Sequence, residues 1–173
     1  MKKIKVLLAD PRHKTVGTHS YFVPIGIGYI GSNLLNVFKK KNLEVKLSID
    51  TDEIFKFIEE WKPDVIGISN YVWNAHLSYT ICQLAKEKNP NILSILGGPE
   101  FPAGTGARRI ENTPRDKTYD KSYKYLLDRP AVDYFAYSDG EVSFVELINK
   151  FIDSKYSVKT MRDKHETIKG CAS

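Results

Sequence analysis

Residues 63–97 read PDVIGISNYVWNAHLSYTICQLAKEKNPNILSILG and contain a complete strand–helix–strand pattern. A short apolar run opens the stretch and a second one closes it. The segment between them (74–88) carries apolar residues at helical spacing, namely Leu77, Ile81, Leu84 and Ala85. Two strands joined by a helical crossover lie parallel in one sheet. This stretch therefore predicts a parallel β-sheet with a helix packed on it.

The rest of the chain alternates in the same way. Apolar runs predict strands and amphipathic segments predict helices, in the order strand 3–9, helix 25–41, strand 43–49, helix 50–61, strand 132–138 and helix 140–153. The strand at 43–49 alternates apolar and polar residues, as an edge strand does. These patterns predict a three-layer α/β domain with a five-stranded, mainly parallel, doubly wound sheet in the flavodoxin-like order 2-1-3-4-5. The domain is expected to span 1–153. Residues 154–173 are expected to form a polar tail or the start of a connection.

Composition excludes several classes of protein. Apolar residues make up 42% of the 173 residues and charged residues 27%, which is ordinary for a soluble globular domain. The net charge of +5 comes from scattered basic residues, so no nucleic-acid partner is expected. No apolar run approaches the roughly 20 residues of a membrane span, and the apolar part of MKKIKVLLAD (1–10) is too short for a signal peptide. We therefore expect no membrane association and a cytoplasmic location.

The two cysteines, Cys82 and Cys171, provide neither a disulfide framework nor a closed metal site. Cys82 falls on the apolar stripe of the helix at 74–88 and is expected to be a buried core thiol. No metal ligand and no catalytic residue are assigned in this chain.

Ligands of open parallel sheets bind beyond the carboxyl ends of the strands. The chain lacks a P-loop, and GIGYIG (26–31) lies inside a predicted helix, too late for a dinucleotide fingerprint. A receiver domain would have an acid after the third strand, where this chain has Ser69. The hydroxyl-rich loop HKTVGTHS (13–20), with Thr15 and Thr18, leaves open a flavodoxin-like site for flavin or a nucleotide.

The predicted third and fourth strands both end in small residues. Ser69 is followed by Asn70 and Tyr71, and the fourth strand ends in Gly97, Gly98 and Pro99. Because glycine has no side chain, a ligand can approach the bare backbone there. Three longer stretches accompany this pattern, namely PIGIGYIGSNL (24–34), PDVIGIS to ILGGPEF (63–101) and DYFAYSDGEVSFVELI (133–148).

Together these features resemble the amino-terminal, Rossmann-like cobalamin-binding domain of cobalamin-type radical S-adenosylmethionine enzymes. This group includes the anaerobic magnesium-protoporphyrin monomethyl ester cyclase and various methyltransferases. The resemblance implies that base-off cobalamin is held at the carboxyl edge of the sheet. It implies a set of cofactor-binding residues: Pro24, Gly26, Ser69, Asn70, Tyr71, Gly97, Gly98 and Pro99. In this set Ser69 corresponds to the serine of the family's S-x-L motif, Gly97 and Gly98 correspond to its glycine pair, and Pro24 and Gly26 lie near the corrin.

The chain also departs from the family pattern. In place of D-x-H-x-x-G it has DPRHKTVG, with Asp10, His13 and Gly17 at wider spacing, so no axial-ligand role is given to His13. SDGE (138–141) replaces the family's G-E-G-E. Some relatives keep the fold without cobalamin, so an empty docking domain is a further alternative.

A radical S-adenosylmethionine barrel needs a C-x3-C-x2-C motif for its [4Fe–4S] cluster, and this chain has no such motif. The resemblance therefore implies that S-adenosylmethionine and the cluster belong to a barrel domain missing from this chain. That barrel is expected in cis in a full-length protein, and this chain would be a part of such an enzyme.

Overall fold

The computed structural model describes residues 2–14, 23–101, 124–164 and 167–173, apart from the side chains of residues 39–41. Within these ranges the sheet order is β2-β1-β3-β4-β5-β6. The strands are β1 (Ile4–Ala9), β2 (Leu43–Ser48), β3 (Val65–Ser69), β4 (Leu93–Gly97), β5 (Tyr134–Ala136) and β6 (Cys171–Ala172). Strands β1 to β5 are parallel, and β6 is antiparallel to β5. The predicted order 2-1-3-4-5 is confirmed, with a short sixth strand added beside β5.

The helices cover both faces of the sheet. They are α1 (Ile25–Asn42), α2 (Thr51–Lys56), α3 (Ala75–Lys88), α4 (Gly140–Asp153) and α5 (Val158–Asp163), and a π-helical turn over Phe57–Trp61 extends α2. Alternate residues of β1 belong to two separate cores, because successive side chains of a strand point to opposite faces. Val6 and Leu8 pack with α1, α4 and α5, whereas Leu7 packs with α2 and α3. No helix in the described ranges is both long and apolar enough to cross a membrane.

Helix α3 covers the sheet as its apolar stripe predicts. Ile81 and Ala85 are fully buried on it, while Leu77 packs at the margin of the same core. Cys82 is also fully buried, and this burial raises the pKa of its thiol far above the ordinary value. The prediction of a core thiol at Cys82 is confirmed.

Residues after 153, expected to form a polar tail or the start of a connection, also pack on the sheet. Val158 and Met161 of α5 are buried in the core shared by α1 and α4. The buried carboxylate of Asp133, at the start of β5, pairs with Arg162 of α5 at 2.8 Å and with Lys86 of α3 at 2.6 Å. Since this carboxylate joins α3, β5 and α5, it fixes the position of α5 on the amino side of the sheet.

Candidate functional site

A pocket with a volume of about 170 Å³ opens at the carboxyl ends of β1, β3, β4 and β5, on the sheet face covered by α1 and α4. Its lining is apolar or small. The apolar lining residues are Leu8, Ile27, Ile30, Ile68, Ala136 and Phe144, the glycines are Gly26, Gly67, Gly97, Gly98 and Gly140, and the hydroxyl residues are Ser69 and Ser138. None of these described lining residues carries a charge.

A row of small residues crosses the sheet at the pocket. Ser69 of β3 is in register with Gly97 of β4, Gly97 with Ala136 of β5, and Ala136 with Cys171 of β6. Residues in register on parallel neighbours share one face of the sheet, so bulk is missing from the same face at successive strands. This row opens the space between the sheet edge and helices α1 and α4.

Gly67 forms the inner part of the pocket with Phe144. A Cβ atom on Gly67 would lie 2.4 Å from the Phe144 ring and 2.8 Å from Cδ2 of Leu8. Only glycine therefore lets the ring of Phe144, on α4, lie directly against β3. Gly67, Ala136, Gly140 and Phe144 line the pocket but were not among the predicted site residues. A glycine inside the strand VIGIS was the available signal, because strand glycines mark close approaches.

Gly97 and Gly98 are glycines for two different structural reasons. Gly98 has a φ of +140°, and a Cβ atom there would lie 2.5 Å from the backbone carbonyl oxygen of Asn70. Gly98 is thus required by backbone conformation and by the close approach of another loop. A Cβ atom on Gly97 would lie 3.3 Å from the carbonyl oxygen of Ala136, which is tight but tolerable after a small shift. At Gly97, glycine leaves the pocket open.

Asn70 joins the two loops that border the pocket. Its backbone N–H donates to the carbonyl of Gly97 at 2.7 Å, and its carbonyl accepts from the N–H of Glu100 at 3.2 Å. The fully buried side chain donates through Nδ2 to the carbonyl of Glu100 at 3.0 Å and to the hydroxyl of Tyr125 at 2.9 Å. Burial raises the pKa of Tyr125. Asn70 therefore contacts protein on the side of Glu100 and Tyr125, and it is not among the described lining residues.

Tyr71 lies outside the pocket lining, next to an exposed aromatic ring. Its ring stacks on Trp73 with centroids 4.5 Å apart and an interplanar angle of 7°. The side chain of the buried Asn74 holds this loop, accepting from the N–H of Tyr71 at 2.7 Å and donating to the carbonyl of Pro11 at 3.2 Å. Since Trp73 is 68% exposed, the stacked pair presents a flat aromatic surface at the carboxyl edge.

The structure thus brings together half of the predicted binding residues. Gly26, Ser69, Gly97 and Gly98 line the pocket. The other four are not among the described lining residues, but each lies within two residues of a lining residue in sequence. Pro24 precedes α1, Asn70 and Tyr71 follow β3, and Pro99 follows the glycine pair. Gly28 in α1 makes no close approach, because a Cβ atom there would have no described neighbour within 4 Å.

Polar groups meet where β1 and β3 end. The Ser69 hydroxyl donates a hydrogen bond to Oδ1 of Asp10, and Oδ2 of the same carboxylate lies 3.5 Å from the Arg12 guanidinium. Nε2 of His13 lies 2.9 Å from the carbonyl oxygen of Trp73. A carbonyl oxygen only accepts hydrogen bonds, so Nε2 donates in this contact and has no lone pair to offer a metal. The predicted flavin loop continues into residues 15–20, where Thr15 and Thr18 lie outside the described residues.

Comparison with known proteins identifies the kind of domain that carries this pocket. A family model described as the B12 binding domain matches residues 17–107, a little over half of the chain. The match includes α1, β3 and the glycine pair at the end of β4.

Three curated relatives are similar over part of their length. The cobalamin-dependent radical SAM methyltransferase TokK of Streptomyces tokunonensis is 28% identical over 142 residues, which is 77% of this chain and 18% of that protein. An uncharacterised methyltransferase of Pyrococcus horikoshii is 25% identical over 155 residues, covering 86% of this chain and 30% of that protein. The 2-(S-pantetheinyl)-carbapenam-3-carboxylate methyltransferase of Streptantibioticus cattleyicolor is 30% identical over 86 residues, covering 50% of this chain and 10% of that protein. The matched segments thus span less than a third of the length of these relatives.

Proposed function

The chain belongs to the B12-binding domain family, and on that premise we propose that it holds cobalamin base-off at the carboxyl edge of its sheet. The nucleotide tail, released from the cobalt, would enter the pocket between the sheet and helices α1 and α4. The observation that carries this proposal is the in-register row of Ser69, Gly97 and Ala136, which clears one face of three adjacent strands. The same row supports an answer to why β4 ends in glycine: Gly97 keeps space for a tail.

The residues of the pocket fit such a tail. Ile27, Ile30 and Phe144 provide apolar walls suited to a flat aromatic base. Gly97 leaves the backbone bare on the side of the sheet. A side chain at Gly97 would fill this space. The lining has the hydroxyl groups of Ser69 and Ser138 but no charged group, and therefore matches an aromatic base better than an anionic ligand.

Each predicted binding residue has a distinct part in this proposal. Ser69 would hydrogen-bond the tail, and Gly97 and Gly98 would contact it through backbone. Asn70, through its bonds to Glu100 and Tyr125, would hold the border of the pocket rather than touch the tail.

The remaining residues would meet the corrin. Pro24 and Gly26 lie at the entry to α1. Gly26 is exposed, and a Cβ atom on it would meet no described atom within 4 Å. Tyr71, stacked on Trp73, supplies a flat apolar surface, and Pro99 follows the glycine pair at the same edge. When bound, the cobalt of cobalamin supplies methyl-transfer or electron-transfer chemistry.

The relatives support a larger context for this binding. Because TokK is named as a cobalamin-dependent radical SAM methyltransferase and matches over only 18% of its length, we infer that this chain is the cobalamin-binding part of a radical S-adenosylmethionine enzyme. S-adenosylmethionine and a [4Fe–4S] cluster would bind a barrel domain encoded in cis. Such a cluster requires several cysteine thiolates, and this sequence offers only Cys82, which is buried, and Cys171.

An anaerobic titration with hydroxocobalamin, followed by desalting and a visible spectrum, tests the proposal. We expect retention of one equivalent with the spectrum of the base-off form. Cobinamide, which has the corrin but lacks the nucleotide tail, is the matched ligand control and should bind at least tenfold more weakly. Equal binding of both ligands would overturn the tail site. Loss of both ligands from the folded protein would favour an empty docking domain, and retention of flavin instead would favour the flavodoxin-like alternative.

A further inference from the structure

The hydrogen bond between Ser69 and Asp10 determines which hydrogen-bonding groups the pocket can offer. A serine hydroxyl has one proton to donate and two lone pairs, while a carboxylate only accepts. Since the Ser69 hydroxyl donates its one hydrogen bond to Asp10, only its lone pairs remain for a ligand in the pocket that Ser69 lines. Ser69 therefore faces a ligand as an acceptor.

Both the backbone and the side chain of Asp10 have further partners that fix its position. Its backbone N–H donates to the carbonyl of Ser48 on β2 at 2.9 Å, and its second carboxylate oxygen faces Arg12 at 3.5 Å. Arg12 is tied to the segment after β2, because its N–H donates to the carbonyl of Ile49 at 3.3 Å and its carbonyl accepts from the hydroxyl of Thr51 at 3.0 Å. A chain of contacts thus runs from the segment after β2 through β1 to Ser69 on β3.

None of the described residues that line the pocket has a charged side chain. The lining residues contributed by α1, β3, β4, β5 and α4 are uncharged. Among the described residues, the ionisable groups next to Ser69 are Asp10 and Arg12. His13, the next ionisable residue along the chain, is bonded to the carbonyl of Trp73. The direction of the Ser69 hydrogen bond is therefore set by Asp10.

We propose that Asp10 is a specificity-determining residue that keeps the Ser69 hydroxyl an acceptor, so that the pocket binds the tail base with a proton on its free ring nitrogen. This inference rests on the proposed function. A ring nitrogen without a proton would face the lone pairs of Ser69, whereas a protonated ring nitrogen donates to them. Because the Arg12 guanidinium lies 3.5 Å from the carboxylate of Asp10 and offsets its charge, the preference comes from the direction of the Ser69 hydrogen bond.

The proposal has a thermodynamic consequence. In base-on cobalamin the ring nitrogen is bound to cobalt and carries no proton. Binding in the proposed form breaks this bond and forms an N–H bond with a proton taken from the buffer, and no electron is transferred. Uptake of one proton weakens binding about tenfold for each unit of rising pH.

Calorimetric titration of the purified chain with methylcobalamin between pH 6 and pH 8, in buffers of different ionisation enthalpy, measures this uptake. Methylcobinamide, which lacks the ring nitrogen, serves as the ligand control. We expect uptake of about one proton with methylcobalamin, none with methylcobinamide, and a dissociation constant for methylcobalamin that rises about tenfold per pH unit. In Asp10→Asn the amide oxygen should face Arg12, which only donates, so that the amide N–H donates to the Ser69 hydroxyl. The Ser69 proton then becomes available to the pocket, so uptake should fall towards zero while binding at pH 8 persists. Asp52→Asn removes an exposed carboxylate bonded to Lys14 and should behave as the unchanged protein.

The outcomes separate the two proposals. Methylcobalamin binding without proton uptake overturns this inference and leaves the proposed function standing. Unchanged uptake in Asp10→Asn overturns the role of Asp10. Failure of the folded protein to bind methylcobalamin at every pH overturns both proposals.

Discussion

A Cβ atom on Gly98 would lie 2.5 Å from the backbone carbonyl oxygen of Asn70, so the segments after β3 and β4 touch backbone to backbone. The contact is reinforced by the hydrogen bond from the N–H of Asn70 to the carbonyl of Gly97. The border of the pocket is therefore built from two loops that cannot separate without losing hydrogen bonds.

The first prediction concerns Gly98. Gly98→Ala should lower the free energy of unfolding by about 2–4 kcal/mol, because the new Cβ atom meets a carbonyl oxygen and φ is positive. Urea unfolding followed by circular dichroism measures the change. Gly28→Ala is the matched control, since a Cβ atom there meets no described atom within 4 Å, and it should be neutral or stabilising by up to about 1 kcal/mol. Equal stability of both variants would contradict the close-approach argument.

The second prediction concerns Gly97 and separates binding from folding. Gly97→Val should place a side chain in the pocket while costing only about 1–2 kcal/mol of stability, because the nearest backbone atom, at 3.3 Å, can give slightly. Affinity for cobalamin should fall at least tenfold, to the level of cobinamide, and affinity for cobinamide should stay the same. The visible spectra of desalted mixtures measure both. A variant that still prefers cobalamin over cobinamide would place the tail elsewhere.

The third prediction concerns the amide of Asn70. Asn70→Ala removes the bonds to the carbonyl of Glu100 and the hydroxyl of Tyr125 from a buried site, and it should lower the free energy of unfolding by about 2–3 kcal/mol. Tyr125→Phe removes only one of these bonds and should cost about 1 kcal/mol. In the double variant the two costs should not add, because residues in direct contact share their interaction energy. Strict additivity in urea unfolding would show that this hydrogen bond contributes nothing.

The fourth prediction concerns the reactivity of the two thiols. Burial raises the pKa of Cys171 to about 11, and a hydrogen bond with Ser143 opposes the shift only in part. Since the thiolate is the reactive form, labelling of Cys171 by a disulfide reagent should be slow at pH 8 and should accelerate about tenfold per pH unit below pH 11. Cys82 should react only when the protein unfolds, because it is fully buried. Ser143→Ala should slow Cys171 further. Fast labelling of Cys171 at pH 7 would contradict its buried environment.

The sheet order followed from sequence because it depends on local patterns. The apolar runs at Ile4–Ala9 and Val65–Ser69 and the amphipathic helix between Ala75 and Lys88 each carry their own signal. The right-handed crossover rule then leaves few topologies. The position of the pocket at the carboxyl edge was predictable for the same reason.

The detailed lining of the pocket was not predictable, because it depends on register and on contacts between distant residues. Gly67 and Phe144 are far apart in sequence, yet position 67 must be glycine because a Cβ atom there would collide with the Phe144 ring. Nothing local shows that Ala136 stands beside Gly97. Asn70 looks like a ligand-binding amide in sequence because the atoms that it bonds, on Glu100 and Tyr125, lie 30 and 55 residues away in the chain.

The row of Ser69, Gly97 and Ala136 also has an evolutionary meaning. Small residues on three adjacent strands forgo the packing that larger side chains would provide at the rim of the core. A lineage that no longer needed a tail in this space would be free to accept bulkier residues there, and these would stabilise the fold. Under the proposed function, the size of the side chains at these three positions would therefore indicate, in proteins with this architecture, whether the space for the tail is kept.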